Sequence, residues 1–171
     1  FIRGELAFDQ HHPAGNRVVQ VQLDAALSRQ EILTASSPAP MANTFRDVYP
    51  EVISATRIDN QTRVLIELDN RRFYEANFFY ADSTVFDLFA LPLTRGTAET
   101  ALTRPATVVI SEETARRYFG DDDPIGQTIL ADQQLDLEVT GVFRASAQAA
   151  HFRPHLIASF HTKSDANEAV W

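Results

Sequence analysis

Cysteine is absent from the 171 residues, and no apolar run approaches the ~18 residues that a membrane-spanning helix needs. The first absence excludes a disulfide framework and a thiolate metal site, although it leaves the cellular compartment open. No signal-peptide pattern is present, and the chain opens on Phe1 rather than Met. We therefore expect a trimmed chain or a domain cut from a larger membrane protein.

Positive charge is also scarce, since 15 Lys and Arg residues face 23 Asp and Glu residues, for a net charge of −8. This balance disfavours nucleic-acid binding and binding to an anionic membrane surface. The hydrophobic fraction of 44% and the charged fraction of 22% are ordinary for a globular protein. A chain of this length forms one domain or two small lobes with a hydrophobic core.

Motifs that carry enzyme chemistry are missing as well. Neither phosphate-binding pattern, G-x-x-x-x-G-K-[ST] or G-x-G-x-x-G, occurs in the chain. Ser111 precedes a predicted helix, but Val109 and Glu113 stand where a G-x-S-x-G nucleophile motif has glycine. We interpret Ser111 as a helix N-cap, and we predict no catalytic residue, no cofactor and no enzyme activity.

A metal site at the histidines is the first of two metal hypotheses. A predicted strand over 152–160 would place His151, His155 and His161 on one face. At strand spacing His151 and His155 lie ~13 Å apart, too far to share one ion, and Arg153 between them adds repulsion. We therefore interpret all three as surface histidines.

A calcium loop at Asp121–Asp123 is the second metal hypothesis. Counted from Asp121, position 5 is Ile125 and position 12 is Asp132 rather than Glu, so the ligand pattern fails. We interpret the acidic run as a solvated turn. His11 and His12 lie in a turn predicted over 9–16 and are also interpreted as surface residues. The sequence thus predicts no metal site.

A strand–helix–turn unit over 104–128 is the strongest local pattern. The β-branched run Val108–Ile110 predicts a buried strand, and the helix that Ser111 caps carries acidic residues first and Arg116 and Arg117 late. Its predicted apolar face consists of Ala115, Tyr118 and Phe119. Gly120 is predicted to end the helix in a left-handed conformation, and Pro124 prevents a restart.

Hydrophobic periodicity predicts the remaining elements. We expect a strand over 19–23 paired with 32–35, a helix over 39–48 ended by Pro50, and an antiparallel meander over 52–80. That meander has strands at 52–58, 64–68 and 73–80, with turns at 59–60 and 69–70. A short helix capped by Asp82 or Ser83, a loop over 90–106 and a hairpin of 127–130 with 135–143 follow. In its second strand, Leu135, Leu137, Val139 and Phe143 are predicted to share one face.

An aromatic cluster supports a second hypothesis about function. Its members are Phe73, Tyr74, Phe78, Phe79 and Tyr80. They could line a ligand groove, in which case the chain would be a free-standing extracytoplasmic binding module for a sugar, peptide or lipid. Core packing is the more common use of such residues, and we favour it.

Five segments in order carry a family resemblance: GELAFDQHHPAGNRVVQV (4–21), PAPMANTFRDVYPEV (38–52), NFFYADSTVFDLFALPLTRG (77–96), RPATVVISEETARRYFGDDDPIGQT (104–128) and LEVTGVFRASAQAAHF (137–152). Together they resemble the MacB-like periplasmic core domain of MacB/FtsX-type ABC transporter permeases. The resemblance implies an α+β, two-lobed extracytoplasmic domain with mixed, mainly antiparallel sheets. Residues 1 to about 75 would start a porter-like lobe, and about 76 to 165 would form a Sabre-like lobe. Family members continue with one more strand and helix, which leaves open an incomplete first lobe or a shortened chain.

The same resemblance implies the function that we favour from the sequence. The chain would be a non-catalytic domain at the cell inner membrane that faces the periplasm and couples cytoplasmic ATP hydrolysis to export or periplasmic work by mechanical transmission. A second permease copy and a cytoplasmic ABC ATPase would be its partners. A periplasmic adaptor with an outer-membrane duct, or a lipoprotein, would be further candidates. No nucleic acid is implied.

Overall fold

The computed structural model describes residues 17–21, 23–27, 30–34, 38, 40–145 and 152–163, with only the backbone at 23–27 and 30–34. In chain order its elements are β1 (Leu23–Leu27), β2 (Gln30–Thr34), α1 (Met41–Val48), β3 (Ile58–Gln61), β4 (Val64–Leu68), β5 (Arg71–Glu75), β6 (Phe78–Ala81), α2 (Val85–Leu88), β7 (Leu93–Arg95), α3 (Ala98–Ala101), β8 (Thr107–Ser111), α4 (Glu112–Phe119), β9 (Thr128–Ala131), β10 (Leu135–Phe143), β11 (Leu156–Ser159) and a 3-10 helix (Phe160–Thr162). This is the predicted α+β class, and its strand pairs are mainly antiparallel.

The first hairpin lies later than predicted. β1 pairs antiparallel with β2, with Leu23 opposite Thr34 and Ala25 opposite Ile32. The strand predicted over 19–23 is wrong, because Val19 and Val21 lie outside any strand and are exposed. The partner predicted at 32–35 is confirmed apart from its bounds. The turn predicted over 9–16 lies outside the described residues.

Helix α1 confirms the helix predicted over 39–48. It begins after Pro40, whose fixed backbone suits a first turn, and it ends at Tyr49, just before Pro50. None of its side chains is buried, and Val48 is 60% exposed. The helix therefore contributes little to the core of the described part of the chain.

A nine-stranded sheet dominates the fold, with the order β3-β6-β11-β8-β10-β9-β4-β5 and with β7 paired to β10. Strands β5 and β6 are six steps apart in this order, which is about 29 Å in a flat sheet at ~4.8 Å per step. Only Ala76 and Asn77 connect them, and the three Cα steps from Glu75 to Phe78 reach at most about 11 Å. The sheet must therefore curl until its β5 edge approaches β6.

The predicted meander over 52–80 is wrong in its pairing. Residues 52–57 form no strand, and residues 59–60, predicted as a turn, lie inside β3. β3 pairs with β6, whereas β4 pairs with β5 and β9. The predicted single strand over 73–80 is also divided, because the chain bends at 76–77. The alternation of Val64, Ile66 and Leu68 in β4 and the turn at 69–70 are confirmed.

Two core clusters cover the two faces of the sheet. The concave cluster joins Phe73 of β5 and Phe78 of β6 with buried residues of β4 and of β8 to β11, and α4 covers it through Tyr118. The convex cluster contains Val109 of β8 and Ile157 of β11 and is covered by α2 and α3. Successive strand residues point to opposite faces, so β8 and β11 are buried on both faces.

The β8–α4 unit follows the sequence prediction closely. The Ser111 side chain accepts a hydrogen bond from the Thr114 N–H at 3.1 Å, which is the predicted N-cap. Tyr118 is fully buried, whereas Ala115 and Phe119 are partly buried. Gly120 ends the helix at φ 64° and ψ −118°, so its φ is positive as predicted but its ψ is not that of a left-handed helix.

The β9–β10 hairpin is confirmed, but the predicted face of β10 is wrong at its end. A register shift between Val139 and Gly141 inserts Thr140 as an extra residue opposite β8. Val142 consequently joins Leu137 and Val139 in the concave cluster, and Phe143 turns to the convex one. The region predicted as a loop over 90–106 contains β7 and α3, which the sequence analysis missed.

Two further predictions need correction. The strand predicted over 152–160 is limited to β11, whose four residues are all buried instead of alternating. Helix α2 begins after Thr84 with no side-chain cap, because the Asp82 carboxylate binds Arg57 instead. The curled sheet contains strands from both sides of residue 75, the predicted boundary between the lobes. The division into lobes stays a prediction.

Candidate functional site

The concave core contains one buried carboxylate, Glu75 at the end of β5, which is 2% exposed. Its Oε1 accepts a hydrogen bond from the Tyr118 hydroxyl at 2.6 Å and another from the Arg117 guanidinium. Its Oε2 lies 2.9 Å from Nδ1 of His155. A buried charge is tolerated only when it is paired and hydrogen-bonded, and these partners meet that requirement. We call Glu75, Asn77, Arg117, Tyr118 and His155 the Glu75 cluster.

Four elements bring the Glu75 cluster together. β5 supplies Glu75, and the last turn of α4 supplies Arg117 and Tyr118 as neighbours. His155 immediately precedes β11, where its N–H donates to the Asn77 carbonyl and its own carbonyl accepts from the Ser111 N–H, both at 2.9 Å. The cluster therefore lies where β5 ends, β6 and β11 begin and β8 passes into α4. It fastens the curled sheet at the point where its ends approach.

The electrostatics keep the phenol of this cluster neutral. Burial, followed by the hydrogen bond to Glu75, raises the pKa of Tyr118 well above its usual value. The side chains of Arg117 and His155 are partly exposed, so the cluster reaches solvent at those two residues.

The hydrogen bonds of His155 indicate a structural role for the Glu75 cluster. Its second ring nitrogen, Nε2, lies 3.5 Å from the Asn77 amide, and the described residues place no hydroxyl nucleophile on that ring. The arrangement can hold four elements in register, but it lacks the nucleophile–base pair that acyl transfer needs.

The predicted histidine face is not observed. His155 precedes β11 and His161 lies exposed in the 3-10 helix, so no strand carries them together. The interpretation of His155 as a surface histidine is incomplete, because its side chain is 36% exposed but its ring also contacts buried Glu75. His11, His12 and His151 lie outside the described residues. Within the described part of the chain, no three His, Cys, Asp or Glu side chains could hold one metal ion.

Asp121–Asp123 form an exposed turn after α4, as interpreted from the sequence. Asp123 Oδ1 accepts from the Ile125 N–H at 3.1 Å and from Arg95 at 2.9 Å. The backbone N–H and then Arg95 hold the pKa of Asp123 below its usual value. This carboxylate is thus engaged within the protein itself.

The aromatic cluster mostly packs in the core. Phe78 and Phe79 are buried, Phe73 and Tyr80 are partly buried, and only Tyr74 is largely exposed, at 65%. The ring of Phe73 lies 4.3 Å from that of Tyr118, measured between centroids. These contacts agree with the preferred interpretation as core residues.

Glu75 and its partners were not predicted from the sequence. One signal was present: Phe73 faces the core, and strand alternation places Glu75 on the same side two residues later. A charged residue in an inward position indicates a buried partner. Which partner that is could not be read locally, because Arg117 and His155 are 42 and 80 positions away.

Three solved structures share this fold. A permease-protein domain from Porphyromonas gingivalis has a TM-score of 0.73 at 20% identity, covering 83% of this chain and 60% of that one. The periplasmic region of MacB from Actinobacillus actinomycetemcomitans has a TM-score of 0.58 at 19% identity, and the match covers 91% of this chain and 64% of that one. The extracellular domain of the ABC-type transporter YknZ from Gram-positive bacteria has a TM-score of 0.57 at 19% identity, and the match covers 73% of this chain and 63% of that one. The chain thus spans less than two thirds of each of these structures, and identities this low establish the fold alone.

Three further findings bear on identity. A search of curated proteins finds no match. No helix among the described residues has the length and apolar character needed to cross a bilayer. The family profile of the MacB-like periplasmic core domain, however, matches residues 1–168, nearly the whole chain. The chain belongs to the MacB-like periplasmic core domain family, whose members are domains of ABC transporter permeases.

Proposed function

We propose that this chain is the periplasmic domain of an inner-membrane ABC transporter permease and that it transmits motion mechanically without performing catalysis. The family match over residues 1–168 carries the proposal. The fold is compatible with such a role, because a curled sheet with a core on both faces moves as one body. The Glu75 cluster adds a buried polar tie where the sheet approaches closure.

The proposed partners follow from this role. A second permease copy would stand beside this domain, and a cytoplasmic ABC ATPase would drive the pair. A periplasmic adaptor with an outer-membrane duct, or a lipoprotein, would receive the motion. The parent reading frame provides a first test, because apolar segments of about 20 residues should flank the domain. A signal peptide followed directly by this domain and a stop codon would instead support a free-standing binding module.

A reversible crosslink in the full-length transporter tests the mechanical role. The domain has no cysteine of its own, so a single cysteine introduced at an exposed position such as Ile53 or Asp122 is its one thiol and can be tested for crosslinking to the second copy. Crosslinked pairs should stop transporting and should recover on reduction. The same variants without crosslinker are the control. Normal transport by a fully crosslinked pair would refute the mechanical proposal.

The binding-module alternative loses its structural basis. It depended on the aromatic cluster as a groove lining, and four of those five side chains are buried or partly buried. Tyr74 alone remains largely exposed, which is too little surface to enclose a ligand.

A further inference from the structure

Two chain segments meet at the β3 edge of the sheet. Residues 52–57 lead into β3, and the 3-10 helix at Phe160–Thr162 leads away from β11. Since β6 lies between β3 and β11 in the sheet, with Ile58 and Ser159 both opposite Ala81, the incoming and outgoing segments meet at the same end of β6. We call Arg57, Asp59, Asp82, Phe160 and Lys163 the edge junction.

Arg57 and Asp82 form the centre of the edge junction. The Arg57 guanidinium donates two parallel hydrogen bonds to the Asp82 carboxylate, from Nη2 to Oδ1 at 2.7 Å and from Nε to Oδ2 at 3.0 Å. The Arg57 N–H also donates to Oδ2 at 2.9 Å. The Arg57 side chain is 8% exposed and that of Asp82 20% exposed. A forked pair so shielded from water fixes geometry far better than a surface ion pair does.

The outgoing segment is attached to the same junction. The Arg57 guanidinium carbon lies 4.1 Å from the centroid of the Phe160 ring, which is cation–π contact. Lys163 contacts the Asp59 carboxylate and lies 5.0 Å from the Tyr80 ring of β6. One arginine of the incoming segment therefore contacts both Asp82, just before α2, and Phe160 of the outgoing helix.

We propose that the edge junction is the link through which displacement of either segment passes to the sheet, with Arg57 as its positioning residue. This inference rests on the proposed mechanical function and deepens it. The reason is geometric, since a segment held by a single contact can pivot, whereas one held through backbone, fork and ring contacts cannot. Breaking the Arg57–Asp82 fork should loosen the incoming segment, which then keeps the hydrogen bond from the Thr84 hydroxyl to the Ala55 carbonyl at 2.8 Å, and should leave the buried core clusters in place.

The test compares Arg57→Gln with Arg104→Gln in the full-length transporter. Arg104 also pairs with a carboxylate, Glu138, but both of those side chains are well exposed and neither belongs to the edge junction. Spin labels on Ile53→Cys, before the junction, and on Asp122→Cys, in the turn after α4, report the distance between segment and sheet. It is measured without nucleotide and with trapped ATP, together with transport.

The wild type and Arg104→Gln should give one narrow distance that is the same in both nucleotide states. Arg57→Gln should broaden that distance or make it depend on nucleotide, with loss of most transport. A wild-type distance distribution in Arg57→Gln, or normal transport despite a broadened one, would overturn the inference. Unchanged distances between the two copies of the domain when ATP is trapped, together with normal transport by a crosslinked pair, would instead refute the mechanical function itself.

A second variant provides a test if Arg57→Gln does not fold. Arg57→Leu combined with Asp82→Leu removes the Arg57–Asp82 ion pair without leaving an unpaired buried charge. The double variant should show the same broadened distance and the same loss of transport. A folded double variant that behaves like the wild type counts against the junction.

Discussion

At the scale of single residues, Glu75→Gln tests the buried carboxylate. The substitution keeps the size of the side chain but removes the charge that Arg117 and His155 face. Both partners can rehydrate partly, so we expect a loss of about 2–3 kcal/mol in the free energy of unfolding. Urea denaturation measures it, with Glu51→Gln at an exposed turn as the matched control. A loss as small as that of the control would show that the cluster does not stabilise the fold.

Because the Tyr118 phenol is buried, we expect the protein to lose stability at alkaline pH. Burial and Glu75 raise its pKa in the folded protein, whereas in the unfolded chain the pKa returns to about 10. Above that pH the unfolded chain releases a proton that the folded protein keeps, so stability falls as the pH rises. We expect Tyr118→Phe to reduce this slope by up to ~1.4 kcal/mol per pH unit. Urea unfolding at several alkaline pH values measures the slope.

The control for this experiment is the same substitution at Tyr74, whose side chain is largely exposed. Tyr74→Phe should leave the alkaline slope as it is in the wild type. An unchanged slope in Tyr118→Phe would mean that the buried phenol does not keep its proton.

Local residue roles were predictable, and distant partners were not. The Ser111 cap involves an N–H three residues away, which a sequence rule can identify. Helical spacing also placed Tyr118 and Phe119 on one face, but it could not tell that only Tyr118 would be fully buried. That difference depends on Phe73 and Glu75, which arrive from another part of the chain.

At the scale of elements, Gly96 sets how closely β7 approaches β10. Its φ is +78°, and a Cβ there would lie 2.3 Å from the Thr140 carbonyl oxygen. Gly120 also has a positive φ, of +64°, but a Cβ there would meet nothing within 4 Å. We expect Gly120→Ala to cost about 1–3 kcal/mol, because its φ and ψ are unfavourable for a residue with a Cβ, and Gly96→Ala to cost about 2 kcal/mol more. Chemical denaturation compares them, and equal losses would contradict the close approach.

Elements formed by neighbouring residues were predicted well for the same physical reason. β4, the β8–α4 unit and the β9–β10 hairpin each carry their own periodicity and turn residues. The partner of β3 carries no local signal, since Ile58 opposes Ala81 across more than twenty residues. The shift at Thr140 was equally hidden, because it depends on the register with β8.

At the scale of the whole molecule, we expect calcium and zinc to leave the thermal midpoint unchanged. The described residues contain no cluster of three candidate ligands, and Asp123 already binds Arg95 and a backbone N–H. A cation at 100 times its Kd would add ~2.7 kcal/mol and raise the midpoint visibly. Thermal melts with each cation, with chelator and with potassium chloride at matched ionic strength measure this midpoint. A rise with one divalent cation alone would refute the prediction.

The position of β11 has a consequence for how the protein is made. β11 is the last strand of the described chain, yet it lies between β6 and β8 and joins them. Until residue 159 has emerged during synthesis, the pair of β3 with β6 and the six remaining strands (β8, β10, β9, β4, β5 and β7) are two separate sheets, each with an open edge. Long-range pairings of this kind form late and slowly. The nascent domain should therefore depend on protection from aggregation until β11 closes the gap.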